Sequence, residues 1–361
     1  MKRTAALLAA LTARAVLAQP CPSYSASSAT NPGHCATNAA AGTNPTIAQW
    51  QALFELAAKG PAAWVDGPAV GDLKDGCSKP MPTAMVRARF PCELVKAIAM
   101  QESSWRQFCS PTSPADQVGR PSQTVIASDC GYGVSQVTSG MRTTDALPNY
   151  DRYRVAAEPF YNLATGLQIL TEKWGFAPCV GDRHPSRLEH WYTATWAYNG
   201  LSSINNPNRT GSSTRGVYNP VVGGTVPYQE RVWGWLQHPP TPAHWPVTKV
   251  AYPRLTDVGP TSPPPALPDP TCGSPTDCTN TRPSVSSSCI DTAADAGLRG
   301  DGGADADAGS EPIRIGALDD DLGHESKACG CRSTSGGAVL SLMVLLALVR
   351  RRAYGAAPLC L

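Results

Sequence analysis

Apolar residues recur at helical spacing in several stretches of this chain, and the polar positions that interrupt them carry most of the information. In the stretch from Pro91 to Trp105, Val95, Ile98, Glu102 and Trp105 follow one another at intervals of three, four and three residues. That period predicts a helix with Pro91 in its first turn, and it places a carboxyl on a stripe otherwise made of buried side chains. Burial disfavours the charged form of a carboxyl and raises its pKa, as a general acid near neutral pH requires. The blander reading is a Glu at the stripe edge paired with Arg106, four residues on. A similar period predicts an N-terminal helix over residues 44–59, through Ile47, Trp50, Leu53, Phe54, Leu56 and Ala57, and a core helix over 158–170. A further helix over 191–200 runs into Asn199-Gly200, a glycine stop.

Between these helices lies Cys130-Gly131-Tyr132-Gly133-Val134-Ser135-Gln136-Val137. Glycines allow positive φ and close backbone approach, so this loop can bring its amides and Gln136 near a ligand before it enters an apolar, helix-compatible stretch. Taken alone it is equally a plain turn.

The order of these pieces resembles the soluble lytic transglycosylases and the related goose-type lysozymes. Glu102-Ser103 matches the family's Glu-Ser at the end of its catalytic helix. Gly133-Val134-Ser135-Gln136 is similar to its Gly-Leu-Met-Gln loop, with Val-Ser in place of Leu-Met. Asn162 and Gly166 fit its Asn-Ile-x-x-Gly helix, Ala197-Tyr198-Asn199 its Ala-Tyr-Asn signature, and Tyr228 with Val232 its closing Tyr-Val-x-x-Val element. The resemblance covers residues 90–237. It implies a mainly α, lysozyme-like domain whose cleft lies between the Glu102 helix and the later helices. It also implies cleavage of the MurNAc–GlcNAc bond of peptidoglycan glycan strands by one catalytic residue, Glu102, with no cofactor. Tyr198 and Tyr228 would orient the carboxyl, Gln136 and Asn199 would hold the saccharide, and Ser103 would support the helix end or an acetamido group. The chain departs from the pattern in a longer gap between Glu102 and Gly131, read as an inserted loop closed by a Cys109–Cys130 disulfide.

Two other classes stay open. One is a hydrolysing muramidase in which Asp129 or Asp145 positions a water, Asp129 being favoured by its place just before Gly131. The other is a non-catalytic wall-binding surface protein, which the Val134-Ser135 replacement keeps in view.

The ends of the chain bear on location. Residues 1–18 have a basic start, an apolar run and a small-residue site at Val16-Leu17-Ala18, as a secretory signal does. Thirteen cysteines in an exported chain predict disulfides, and none forms a Cys-x-x-Cys pair that would suggest zinc. Seven of them, at 21, 35, 77, 92, 109, 130 and 179, precede residue 238, an odd number that leaves one free or paired to the tail. The expected domain spans 19–238. Proline then dominates 239–270, predicting an extended spacer, and 291–321 is Ala, Gly and Asp with too little apolar area to fold, so 239–328 reads as a disordered linker. Cys272, Cys278 and Cys289 could staple a small loop within it.

In 329–361, Cys329-Gly330-Cys331 precedes an apolar run from Ala338 to Val349 and then Arg350-Arg351-Arg352. This resembles the C-terminal sorting tags of myxobacterial surface proteins, which implies processing by a sorting protease and retention at the outer surface. An ordinary membrane anchor is the alternative, although the run is short of the roughly 20 residues a span needs. A net charge of +2, with no basic block among aromatics, argues against nucleic acid. All nine tryptophans fall between Trp50 and Trp245, most of them expected in the core.

Overall fold

The computed structural model describes residues 34–77, 83–109, 122–209, 217–220, 227–240 and 244–289. The secretory signal expected over 1–18, the Ala/Gly/Asp stretch and the tail over 329–361 lie outside the described residues. Among the described residues seven α-helices dominate: α1 (Ile47–Ala58), α2 (Cys92–Ser103), α3 (Arg152–Ala157), α4 (Pro159–Phe176), α5 (Tyr192–Tyr198), α6 (Tyr228–Gln237) and α7 (Leu255–Val258). Four short strands form two antiparallel pairs, β1 (Ala41–Gly42) with β4 (Ser122–Gln123) and β2 (Leu73–Asp75) with β3 (Ala84–Val86). Among the described residues no helix is long and apolar enough to cross a membrane.

Helix α1 starts at a Thr46–Gln49 capping box, which satisfies two N-terminal amides at once. Helix α2 occupies the centre. Its residues 92–100 are buried without exception, so that stretch has no exposed face, and the expected stripe is in fact a wholly buried segment packed chiefly against α1 and α6. Trp105 is not on that helix. Ser104 and Trp105 both take left-handed φ angles, 57° and 59°, and turn the chain back so that the indole packs on Phe54 and donates to the Lys96 carbonyl at 2.9 Å. Two consecutive non-glycine residues in this region cost free energy that the surrounding packing offsets, and they begin two residues after Glu102.

Two sequence expectations are corrected. Cys130 is bonded to Cys35, not to Cys109. The backbone sets the choice. Ala36 donates to Met141, which brings Cys35 against the 130–142 region, while Cys109 donates to the Gln123 carbonyl of β4. Cys109 is itself disulfide-bonded, and the other eight described cysteines pair among themselves, so its partner lies outside the described residues.

The second correction concerns the Pro-rich spacer. Residues 244–289 are a strap packed on the helical body, burying Trp245, Val250, Ala251, Tyr252, Val258 and Leu267 in the main core. Two buried carboxylates hold it. Glu189 accepts from the amides of Ala251 (2.9 Å) and Val285 (2.8 Å), and Glu93 accepts from the Ser287 hydroxyl (2.7 Å), the Ser288 amide (2.9 Å) and the Ser288 hydroxyl. His190 meets Asp269 of the strap at 2.6 Å. Cys272 pairs with Cys278, and Cys92 takes Cys289, which resolves the odd count before residue 238. Proline prevents regular ladders but not burial, and composition alone reports only the former.

Candidate active site

Glu102 sits in the last turn of α2, partly exposed where the buried helix reaches the surface. The Tyr228 hydroxyl, at the start of α6, donates to its Oε1. Burial raises the Glu102 pKa to about 7; the Tyr228 hydrogen bond opposes that rise, and the negative charge of Asp129 adds to it. Position in the C-terminal turn, where unpaired carbonyls gather, favours the neutral carboxyl as well. Arg106 is not its partner: that guanidinium donates to the Ser103 carbonyl at 2.9 Å. Among the described residues no cation pairs with this carboxyl, so nothing there offsets its desolvation except the Tyr228 hydroxyl.

Tied to the last turn of α2 through Ser103, the 131–137 loop is a tight turn between isolated β-bridges rather than the start of a helix. Asn162 of α4 is its clamp. The Asn162 side chain donates to the Tyr132 and Val155 carbonyls (2.8 and 2.9 Å) and accepts from the Ser135 amide (2.9 Å). Gln107, fully buried, accepts from the Val134 amide at 3.0 Å and donates to the carbonyls of Val155 and Ala156. Gly133 has φ +63°, and a Cβ there would lie 2.1 Å from Gln107 Oε1, so only glycine fits the crossing of these two amides. Gly166 allows Ser135 to settle on α4, where a Cβ would come within 2.6 Å of the serine hydroxyl.

Tyr198, at the end of α5, donates to the Ser135 carbonyl at 2.7 Å. With Val95, Ile98, Ser135 and Leu167 it lines a small apolar pocket beside the loop. Tyr198 and Tyr228 are both held well above the ordinary tyrosine pKa, by burial first and then by the Glu102 charge, so both remain hydroxyl donors.

Of the residues expected at the site, Glu102 and Tyr228 are in direct contact, and Tyr198 is close enough to feel the Glu102 charge. Ser103 turns inward: its hydroxyl donates to the Val134 carbonyl at 2.9 Å and accepts from the Arg106 amide at 3.0 Å, tying α2 to the loop. Gln136, at φ 47°, folds back to donate to the Gly133 carbonyl at 2.8 Å. Asn199 is exposed and accepts from Asn205 at 2.9 Å. Asp129 is exposed too, with Oδ1 on the Gly131 amide at 3.3 Å, and Asp145 accepts from the Arg142 amide. Gln107 and the Ser135 carbonyl, which fix the 131–137 loop, were not anticipated; a single buried amide leaves no periodic trace in a sequence.

Among the described residues one group of ligand-type side chains clusters, Cys92, Glu93 and Cys289, and there the two sulfurs are bonded to each other. The disulfides mark a protein that folds in an oxidising compartment outside the cytoplasm. The chain matches no protein-family model, no curated protein and no solved structure.

Proposed function

We propose that this chain is a lytic transglycosylase with a lysozyme-like fold, cleaving the MurNAc–GlcNAc bond of peptidoglycan with Glu102 as both acid and base. The observation that carries the reading is a lone carboxyl at a surface-reaching helix end, raised to about 7 and held by a tyrosine hydroxyl rather than by a cation. Neutral Glu102 protonates the glycosidic oxygen, and the GlcNAc side leaves with that proton. The carboxylate then takes the proton of the MurNAc 6-hydroxyl, whose oxygen closes on C1 to give the 1,6-anhydro ring and restores the neutral acid. A pKa near neutrality serves both steps. Tyr228 orients the carboxyl, Tyr198 fixes the 131–137 loop, and Gln136 and Asn199 present polar groups at the rim.

One observation favours a second reading. Asp129 lies close enough for its charge to raise the Glu102 pKa, and its exposed carboxylate could position a water for hydrolysis. The reading also places the protein in the cell envelope or at its surface, acting on glycan strands there. The residues argued to carry export and retention, 1–18 and 329–361, lie outside the described ones. Mass analysis of muropeptides released by the purified chain tests the reading. Anhydro ends support it, reducing ends favour the Asp129 hydrolase, and no release leaves only wall binding.

A further inference from the structure

Helix α6 is buried along most of its length, with Arg231, Trp235 and Gln237 the positions that reach the surface. Trp235 stands seven residues after Tyr228, so the two share a face about two turns apart. Its indole Nε1–H donates to Gln101 Oε1 at 3.1 Å, and Gln101 is the residue just before Glu102. Tyr218 meets the same indole edge-on, with ring centroids 6.2 Å apart and an interplanar angle of 68°. Glycine inside a helix costs about 1 kcal/mol against alanine. Gly234 has a local reason: a Cβ there would lie 2.4 Å from the Tyr218 carbonyl oxygen and 2.6 Å from the Tyr218 Cβ. The missing side chain is what seats Tyr218 against α6. Both rings keep part of their surface open to solvent.

We propose that Trp235 and Tyr218, braced by Gln101 and seated by Gly234, form a corner on which a sugar ring of the glycan strand stacks beside Glu102. The proposal rests on the glycan-cleaving reading of the site. The apolar face of a pyranose fits an aromatic ring whose rotation is already fixed, since little ordering remains to be done on binding. The corner lies two helical turns along α6 from the carboxyl's tyrosine, so long strands should use it more than short ones.

The test uses the full chain carrying Glu102→Gln, which binds without turnover, and calorimetry with β-1,4-linked N-acetylglucosamine oligomers. Trp235→Ala should weaken hexamer binding about tenfold and dimer binding much less. Trp235→Phe, which keeps a ring but loses the indole N–H, should recover most of the affinity. Tyr218→Ala and Gly234→Ala should each weaken the hexamer, and they keep the question answerable if Trp235→Ala lowers the melting temperature. The corner is refuted if a folded Trp235→Ala binds the hexamer within about twofold of its parent, or if Phe is as weak as Ala. In that event muropeptide release by the wild type would leave the glycan-cleaving reading standing. A parent chain that binds no oligomer, from a wild type that releases nothing, would overturn both.

Discussion

Glu102 combines partial exposure with a carboxyl that desolvation holds toward its neutral form. Its pKa in the folded chain, about 7, lies above the ordinary carboxyl value of 4.5, so the folded state binds more protons than the unfolded state between those two points. Stability is therefore full below about pH 4.5 and declines as pH rises towards 7. Glu102→Gln removes the ionisation while keeping the shape. It should abolish glycan cleavage, yet raise stability above pH 7 by about 1–3 kcal/mol, flattening the decline. Thermal melts at pH 5 and pH 8 check this; equal pH dependence in the two proteins would mean the carboxyl is not desolvated. Catalysis should hold below neutrality and fall above about pH 7, as the acid ionises. The Tyr228 hydrogen bond lowers the Glu102 pKa, so Tyr228→Phe should move that alkaline limb upward, whatever it does to the maximal rate. A limb that stays in place in pH–rate profiles would show that another group sets it.

At the scale of elements, the 131–137 loop is tied to the end of α2 by Ser103 and held by two buried amide side chains, Asn162 and Gln107. Asn162 makes three hydrogen bonds from a fully buried position. Asn162→Ala would strand the Ser135 amide and leave the Tyr132 and Val155 carbonyls with one donor each, from Val137 and Gln107, and should cost about 1–3 kcal/mol while lowering cleavage more than a distant change of equal cost. Chemical denaturation alongside muropeptide release measures both; a loss of stability with full activity would make the clamp structural only. Helices α1, α2, α4 and α5 were legible in the sequence from apolar residues at helical spacing, although α2, α4 and α5 are buried on all sides over most of their length, and Gly200 marked the end of α5. Glu102 was legible as an acid among apolar positions. The exit from α2 was not, since Ser104 and Trp105 adopt left-handed φ angles that neither residue type announces. Of the two roles expected of Ser103, support of the helix end is the one its bonds favour: adjacency to the acid in sequence is 100° of rotation on a helix, and the hydroxyl faces inward.

For the whole molecule, the boundary of the folded unit is the feature that composition misplaced. Proline density from 239 onward described a backbone without ladders and suggested a spacer, but the information that decides folding lies in Trp245, Val250, Tyr252, Val258 and Leu267, spread thinly among prolines and each buried. Glu93 and Glu189 are equally informative. Both are buried carboxylates whose hydrogen-bond partners come mainly from the strap, and cutting the strap away would leave them without those donors. Buried carboxylates without donors cost several kcal/mol each, comparable to the entire stability of a domain. Disulfide Cys92–Cys289 ties the strap end to the start of α2, the helix that carries Glu102 at its other end. A chain ended at residue 289 should therefore melt cooperatively and retain the activity of the longer protein, whereas one ended at 245 should not fold cooperatively. Cys92→Ser with Cys289→Ser in the intact chain should remain folded but lose roughly 3–5 kcal/mol, because the loop that the bond closes is long. Melting curves of the three proteins decide it. A cooperative, active chain ending at 245 would return the strap to the role of a linker and leave its burial without energetic consequence.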